Sequence, residues 1–333
     1  MANKTNKKRP PAKRTGGSKS GASSAKNRTG RPGGQQPRVV VRKAGASDWI
    51  AAARIRTLPV AIAPVALGTA AALVYAPGEA HWVRALLCLA VALCLQIGVN
   101  YANDYSDGIR GTDAHRVGPA RLTASGAARP RAVLAVALGF FLLAAVAGVT
   151  VVVLSGYYWL LVVGAACVAA AWFYTGGKHP YGYYGLGEVF VFVFFGLIAT
   201  AGTTYVQVGA VNVESWLAGT AAGFLACAVL MVNNLRDLEQ DALARKRTLA
   251  VLVGARASRI LFGIFMTIPF VILIFFAIFY INAPLVYFAL LLAIPAVLIV
   301  ATGKTAPEFM LALRLTSITV LVFGLGLAAA IAF

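Results

Sequence analysis

After residue 56 the chain is a succession of uncharged apolar runs, most of them near the roughly 20 residues that a helix needs to cross the hydrocarbon core of a bilayer. Taken as spans, they cover residues 57–76, 85–103, 132–154, 157–175, 188–209, 215–234, 260–281, 284–302 and 314–333. Two longer uncharged blocks divide at local breakers, Ser155-Gly156 and Asn282-Ala283-Pro284. Backbone groups in lipid must be satisfied within their own segment, so such runs fold as helices. The expectation is an all-α polytopic membrane protein with nine transmembrane helices bundled around a central cavity. A soluble enzyme on a single anchor is excluded.

The formal charge of +19 suggests nucleic-acid binding until its location is considered. Thirteen of the 30 Lys and Arg residues lie in the first 43 positions, a stretch rich in Gly, Ser and Pro with no acidic and no aromatic residue. It cannot bury enough apolar surface to order itself and has no ring on which a base could stack. Residues 1–47 are therefore expected to form a disordered basic cytoplasmic tail on anionic lipid, each cation near the surface contributing roughly 1 kcal/mol, and residues 48–333 a single membrane domain. No nucleic-acid partner is expected. With the N-terminus inside, 29 of the basic residues fall on the cytoplasmic side and Arg84 alone outside, which fixes the expected topology.

Six of the eleven acidic residues fall in two short segments on that cytoplasmic side: Asp104, Asp107 and Asp113 after the second span, and Asp237, Glu239 and Asp241 after the sixth. Asn100-x3-Asp104 is echoed by Asn233-x3-Asp237, four spans later, which suggests a duplicated four-helix unit with a ninth helix added. On a continuing helix Asn100, Asp104 and Asp107 share one face, as do Asn233, Asp237 and Asp241. Two facing carboxylate clusters supply hard oxygen ligands suited to Mg²⁺, which is usually held by one or two carboxylates plus substrate phosphates. The flanking Arg110, Arg116, Arg121, Arg236, Lys246 and Arg247 can add charge-assisted bonds to phosphate oxygens. Ionising an allylic diphosphate requires this neutralisation, together with exclusion of water from the cation left behind. The four cysteines lie in apolar runs without a Cys-x-x-Cys pair, and His81, His115 and His179 are scattered, so no zinc site is expected.

These residues resemble the UbiA superfamily of intramembrane aromatic prenyltransferases. Within it, several stretches resemble the branch that prenylates 1,4-dihydroxy-2-naphthoate in menaquinone biosynthesis: Arg54-Ile55-Arg56-Thr57-Leu58-Pro59 with Ala63-Pro64, then Asn100 through Asp107, then Arg116-Val117-Gly118-Pro119. So do Tyr174-Thr175-Gly176-Gly177, Tyr181-Gly182-Tyr183, Gly187-Glu188 and Asn233-Asn234-Leu235-Arg236-Asp237. The resemblance implies a nine-helix bundle, a polyprenyl diphosphate and 1,4-dihydroxy-2-naphthoate as substrates, and Mg²⁺ as cofactor. It implies that Asp104, Asp107, Asp237 and Asp241 hold metal, and that Asn100, Asn103, Asn233 and Arg236 orient ligands and phosphate. The loop from Tyr174 to Glu188 would line the acceptor's side, with Lys178 for its carboxylate and Tyr174 or Glu188 as candidate bases. Two departures stand out. Asp113 lies six residues beyond Asp107, and Arg245-Lys246-Arg247-Thr248-Leu249 has Arg245 where the family usually has glycine.

Other readings stay open at this level. A different UbiA acceptor is compatible with the same motifs. A phosphoalcohol transferase would need Asp-Gly-x-x-Ala-Arg, which Asp107-Gly108-Ile109-Arg110-Gly111-Thr112 does not match. A transporter would place charges near mid-membrane, where these spans have none.

Overall fold

The computed structural model describes residues 42–79, 81–113 and 121–333. The expected tail, except residues 42–47, therefore lies outside the described residues, as do His115 and Arg116. Among the described residues there is no strand. The helices are α1 (Ala46–Ala52), α2 (Pro59–Tyr75), α3 (Trp82–Arg110), α4 (Pro130–Ser155), α5 (Leu160–Phe173) and α6 (Gly187–Val208). They continue as α7 (Val213–Arg236), α8 (Leu238–Leu243), α9 (Leu249–Phe279), α10 (Ala283–Thr302) and α11 (Ala306–Ala332).

Proline at the first helical turn starts α2, α4 and α11, where its missing N–H costs nothing. Thr305 and Glu308 cap the N-terminus of α11 with a reciprocal capping box. Among the described residues seven helices, α3, α4, α6, α7, α9, α10 and α11, are long and apolar enough to cross a membrane alone. Each of the other two expected spans also meets a helix, with a difference. The first is one limb of a pair bent by 48° between Ala46–Thr57 and Pro59–Tyr75. The fourth shrinks to the 14 residues of α5, about 21 Å of helix, because Tyr157, Tyr158 and Trp159 form a turn rather than its first coil. Tyr157 and Trp159 pack there on Tyr205 of α6, at 4.7 and 5.5 Å.

α7 is the central post: 72% of its apolar window is buried, against 11% for α3, whose middle faces the cavity described below and the periphery. Small residues permit this packing in a solvent as apolar as the side chains themselves. A Cβ on Gly196 of α6 would run into the backbone of Gly219 and Gly223 on α7. The chain around Gly196, Phe192–Ile198, is a π-helical stretch, and it turns Phe194 and Phe195 into the cavity. At the end of the bundle remote from the Asp segments, Arg84 of α3 donates to the carbonyls of Leu154, Val206 and Gln207, capping the C-termini of α4 and α6.

Candidate active site

α3 does not stop at residue 103 but runs on to Arg110, ended by Gly111 in the left-handed region at φ 74°. The first acidic segment is thus helical as far as Arg110, with Asp113 beyond its end, and Asn100, Asn103, Asp104 and Asp107 are all buried on the helix. Each is fixed by a different neighbour. The Asn100 amide donates to Ala53 O at 2.9 Å, and Asn103 Oδ1 accepts from the Thr175 hydroxyl at 2.5 Å. Both Asp104 oxygens accept backbone N–H groups, from Leu122 at 2.9 Å and Thr123 at 2.8 Å, which ties down the chain that carries Arg121. Gly108 makes room for it, since a Cβ there would overlap the Thr123 side chain.

Asp107 is the meeting point. Its Oδ1 accepts the Tyr183 hydroxyl at 2.6 Å, while Oδ2 lies 3.6 Å from Lys246 Nζ and 3.9 Å from Arg121. Lys246 Nζ is also 4.0 Å from Asp241, so one ammonium stands between a carboxylate of each acidic segment. Burial opposes its charge, but Asp107 and Asp241 outweigh that and hold the Lys246 pKa above its ordinary value. Burial, then the Asp107 charge, pushes the Tyr183 phenol up to about 12, so it remains a donor at neutral pH. Asp113 faces Arg121 at 3.3 Å, which gives it a structural partner away from Lys246.

The second segment is not one continuous face. α7 ends at Arg236, Asp237 is the junction at φ −97° and ψ 9°, and Asp241 rides on the separate α8. Asp237 takes a two-pronged bond from its neighbour Arg236, 2.7 and 2.5 Å long. Beyond α8, Arg245 occupies the left-handed region at φ 57°, a conformation that favours glycine.

Two cavities adjoin these groups. The larger, about 790 Å³, is walled by aliphatic and aromatic side chains, among them Trp172, Phe190 and Phe194, with Tyr174 and Tyr181 on the loop side. No Asp, Glu, His or Lys lines it among the described residues, and Arg54 is its one cationic wall there. The smaller, about 40 Å³, is lined by Arg54, Arg56, Asp104, Arg121, Asn233 and Arg236. Arg54 and Asn233 belong to both, so a strongly basic pocket is continuous with an apolar one. Arg54 reaches this position from a left-handed residue, φ 54° and ψ 54°, at the bend before α2.

Sequence reasoning placed Arg54 and Arg56 among the topology charges rather than in the site. The available signal is that both lie in the Arg54-to-Pro59 stretch that carries the family resemblance, abutting an apolar run. Other expected residues fall elsewhere. Arg110 donates to the carbonyls of Thr175 and Gly177 and so clamps the 174–188 loop. Lys178 and Arg247 are exposed, and Arg247 joins the site through its backbone N–H on Tyr183 O. Glu188 is buried behind the cavity wall, accepting from Asn234 at 3.0 Å.

Among the described residues no three His, Cys, Asp or Glu side chains stand close enough to form a metal cage. The donor set nevertheless fits a hard divalent cation. Asp107 and Asp241 already converge on a positive charge, that of Lys246, and two carboxylates are what Mg²⁺ commonly takes from a protein when phosphate supplies the rest.

Residues 61–310 match the model of the UbiA prenyltransferase family. The chain belongs to the UbiA prenyltransferase family. Its UbiA relatives include a Mycobacterium tuberculosis protein named 1,4-dihydroxy-2-naphthoate octaprenyltransferase, 47% identical across 86% of this chain and 97% of that one. The Escherichia coli protein of the same name is 37% identical over 63% of this chain and 70% of its own. Among solved structures, the apo UbiA homolog from Aeropyrum pernix K1 superposes with a TM-score of 0.59 at 17% identity, covering 80% of this chain and 96% of that one. A UbiA homolog from Archaeoglobus fulgidus bound to GPP and Mg²⁺ gives 0.53 at 16% identity, covering 83% and 99%. At those identities the likeness speaks for the fold.

Proposed function

We propose that this UbiA-family enzyme transfers a polyprenyl group from polyprenyl diphosphate to 1,4-dihydroxy-2-naphthoate, releasing diphosphate and carbon dioxide and giving demethylmenaquinol. The relatives at 47% and 44% identity that carry the dihydroxynaphthoate prenyltransferase name support the choice of acceptor. One observation of this chain carries the reading. A pocket walled by four arginines opens, past Arg54 and Asn233, into an apolar cavity of about 790 Å³. That arrangement suits a molecule with a polyanionic head and a hydrocarbon tail.

In this reading Arg54, Arg56, Arg121 and Arg236 receive diphosphate oxygens. Asp107 and Asp241 would hold Mg²⁺, while Asp104 and Asp237 keep the 121–123 chain and Arg236 in place around it. The bound ion supplies neutralisation of the charge that gathers on the diphosphate as its bond to carbon breaks. Asn100, Asn103 and Asn233 furnish neutral polar contacts at the boundary between head and tail. The aromatic and aliphatic wall excludes water from the allylic carbon, so that the naphthoate ring carbon is the nucleophile that reaches it.

The bond balance also explains the composition of the wall. The ring carbon bearing the carboxylate bonds to the prenyl carbon as the diphosphate leaves with the carbon–oxygen electron pair. Loss of carbon dioxide then returns the carbon–carbon pair to the ring. No proton leaves that carbon, and no general base is needed where none of the described wall residues is Asp, Glu or His. Arg54, rather than the exposed Lys178, is the cation placed to meet an anionic group in the cavity.

The charge distribution expected from the sequence, 29 of 30 basic residues on the side of the Asp segments, supports a site at the cytoplasmic face of the cell membrane, with the basic tail against anionic lipid. The test is a Mg²⁺-dependent assay in lipid, following prenylated product and carbon dioxide from polyprenyl diphosphate and the naphthoate. Product with equimolar carbon dioxide is expected. Diphosphate release without naphthoate prenylation would refute the acceptor, and neither product from folded protein would refute prenyl transfer.

A further inference from the structure

Tyr183 belongs to none of the acidic motifs, yet two other segments, the end of α3 and the chain between α8 and α9, meet on it. Its hydroxyl donates to Asp107 Oδ1 at 2.6 Å, a short bond of the charge-assisted kind. That bond occupies one oxygen of the carboxylate and leaves Oδ2 facing Lys246 and Arg121, at 3.6 and 3.9 Å. Two cations stand over its ring, Arg110 Cζ at 5.5 Å and Lys246 Nζ at 5.2 Å from the centroid. Its carbonyl accepts the backbone N–H of Arg247 at 3.1 Å. So α3 is held through the hydroxyl, and the chain between α8 and α9 through the carbonyl and ring. The loop to which Tyr183 belongs also supplies Tyr174 and Tyr181 to the large cavity.

We infer that Tyr183 is a positioning residue: its hydroxyl orients Asp107 so that Oδ2 meets the divalent cation, and its ring and backbone lock the cavity-lining 174–188 loop to the chain carrying Lys246. The inference rests on the proposed metal–diphosphate reading and deepens it. A carboxylate held by one oxygen has its rotamer chosen before the ion arrives. Removing such an orienting hydrogen bond typically costs 10–100-fold in metal affinity.

The experiment uses full-length protein in lipid nanodiscs and reads Mn²⁺ binding by electron paramagnetic resonance with inorganic pyrophosphate present, independently of turnover. Tyr183→Phe keeps the ring and backbone contacts and loses only the hydroxyl, so about a tenfold rise in the Mn²⁺ dissociation constant is expected. Tyr184→Phe, whose exposed hydroxyl meets His179, is the matched control and leaves that constant unchanged. Tyr183→Leu also removes the ring, and faster hydrogen exchange is expected both in residues 174–188 and in residues 244–248. Unchanged Mn²⁺ affinity in Tyr183→Phe would overturn the orienting role; faster exchange confined to 174–188 in Tyr183→Leu would overturn the lock. Asp107→Asn and Asp241→Asn separate this from the parent reading. If both still bind Mn²⁺ like the starting protein, the metal site itself is wrong. If both lose it while Tyr183→Phe does not, only the inference on Tyr183 fails.

Discussion

The two acidic segments begin from the same spacing, Asn-x3-Asp, and end in different geometries. On α3 the helix continues through Arg110, so four buried polar side chains keep helical register and each finds a separate partner. After α7 the helix stops at Arg236, Asp237 turns the chain, and Asp241 sits on a short helix of its own. Identical spacing therefore fixes which residues are offered, whereas the local helix ending fixes where they point. The difference divides the labour: a rigid arm presents Asp107, and a jointed arm presents Asp241 and Lys246.

The largest effect should come from the rigid arm. Asp107→Asn is expected to reduce turnover by about 10³-fold and Asp241→Asn by about 10²-fold in the Mg²⁺-dependent assay, magnitudes in the range for lost electrostatic stabilisation of a transition state. Equal losses would break the comparison, because the jointed arm would then be as exacting as the helix. Next comes the ammonium between them. Lys246→Met leaves two carboxylates without their shared cation, and the metal-free protein should lose about 1–3 kcal/mol of stability, less than for a fully buried cluster because Lys246 and Asp241 are slightly exposed. Added Mg²⁺ should then raise its unfolding midpoint more than it raises that of the parent.

The pH dependence sharpens the same point. Lys246 and Tyr183 both have folded pKa values above their ordinary 10.5 and 10.0, so their stabilising contributions are complete below about pH 10 and are lost as pH rises through the folded values. The unfolding midpoint should accordingly be flat to about pH 10 and fall from there toward 12, and Lys246→Met should flatten part of that fall. The smallest effect concerns the hinge. Arg245→Gly removes a left-handed non-glycine residue, which costs roughly 1–2 kcal/mol, and gives back about half of that in chain entropy. A gain of up to about 1 kcal/mol in chemical denaturation, with unchanged turnover, is expected.

Much of the architecture was legible because it is written locally. Hydropathy locates the runs, Ser155-Gly156 and Asn282-Ala283-Pro284 mark breaks that the structure keeps, and a chain with few acids makes the two Asp segments conspicuous. What escaped depends on distance or on backbone conformation. Hydropathy counts Tyr157, Tyr158 and Trp159 as apolar, although they form a turn, so α5 begins later than expected. Tyr183 and Asp107 are 76 residues apart, and no local pattern couples them. Arg54 is brought to the cavity wall by a left-handed bend that nothing in an Arg-Ile-Arg stretch announces. The turn at Asp237 was hidden for the opposite reason: spacing by fours reads as one helix even where the chain breaks.

Arg84 has a consequence for how the molecule is made. Its guanidinium is satisfied by carbonyls at Leu154 and Val206, 70 and 122 residues further along the chain. When α3 leaves the ribosome those acceptors do not yet exist, and a bare guanidinium at the edge of hydrocarbon must stay with water or lipid headgroups. The second helix of the bundle thus reaches its final seat only after the C-terminal end of α6 has been synthesised, so the order of assembly differs from the order of translation.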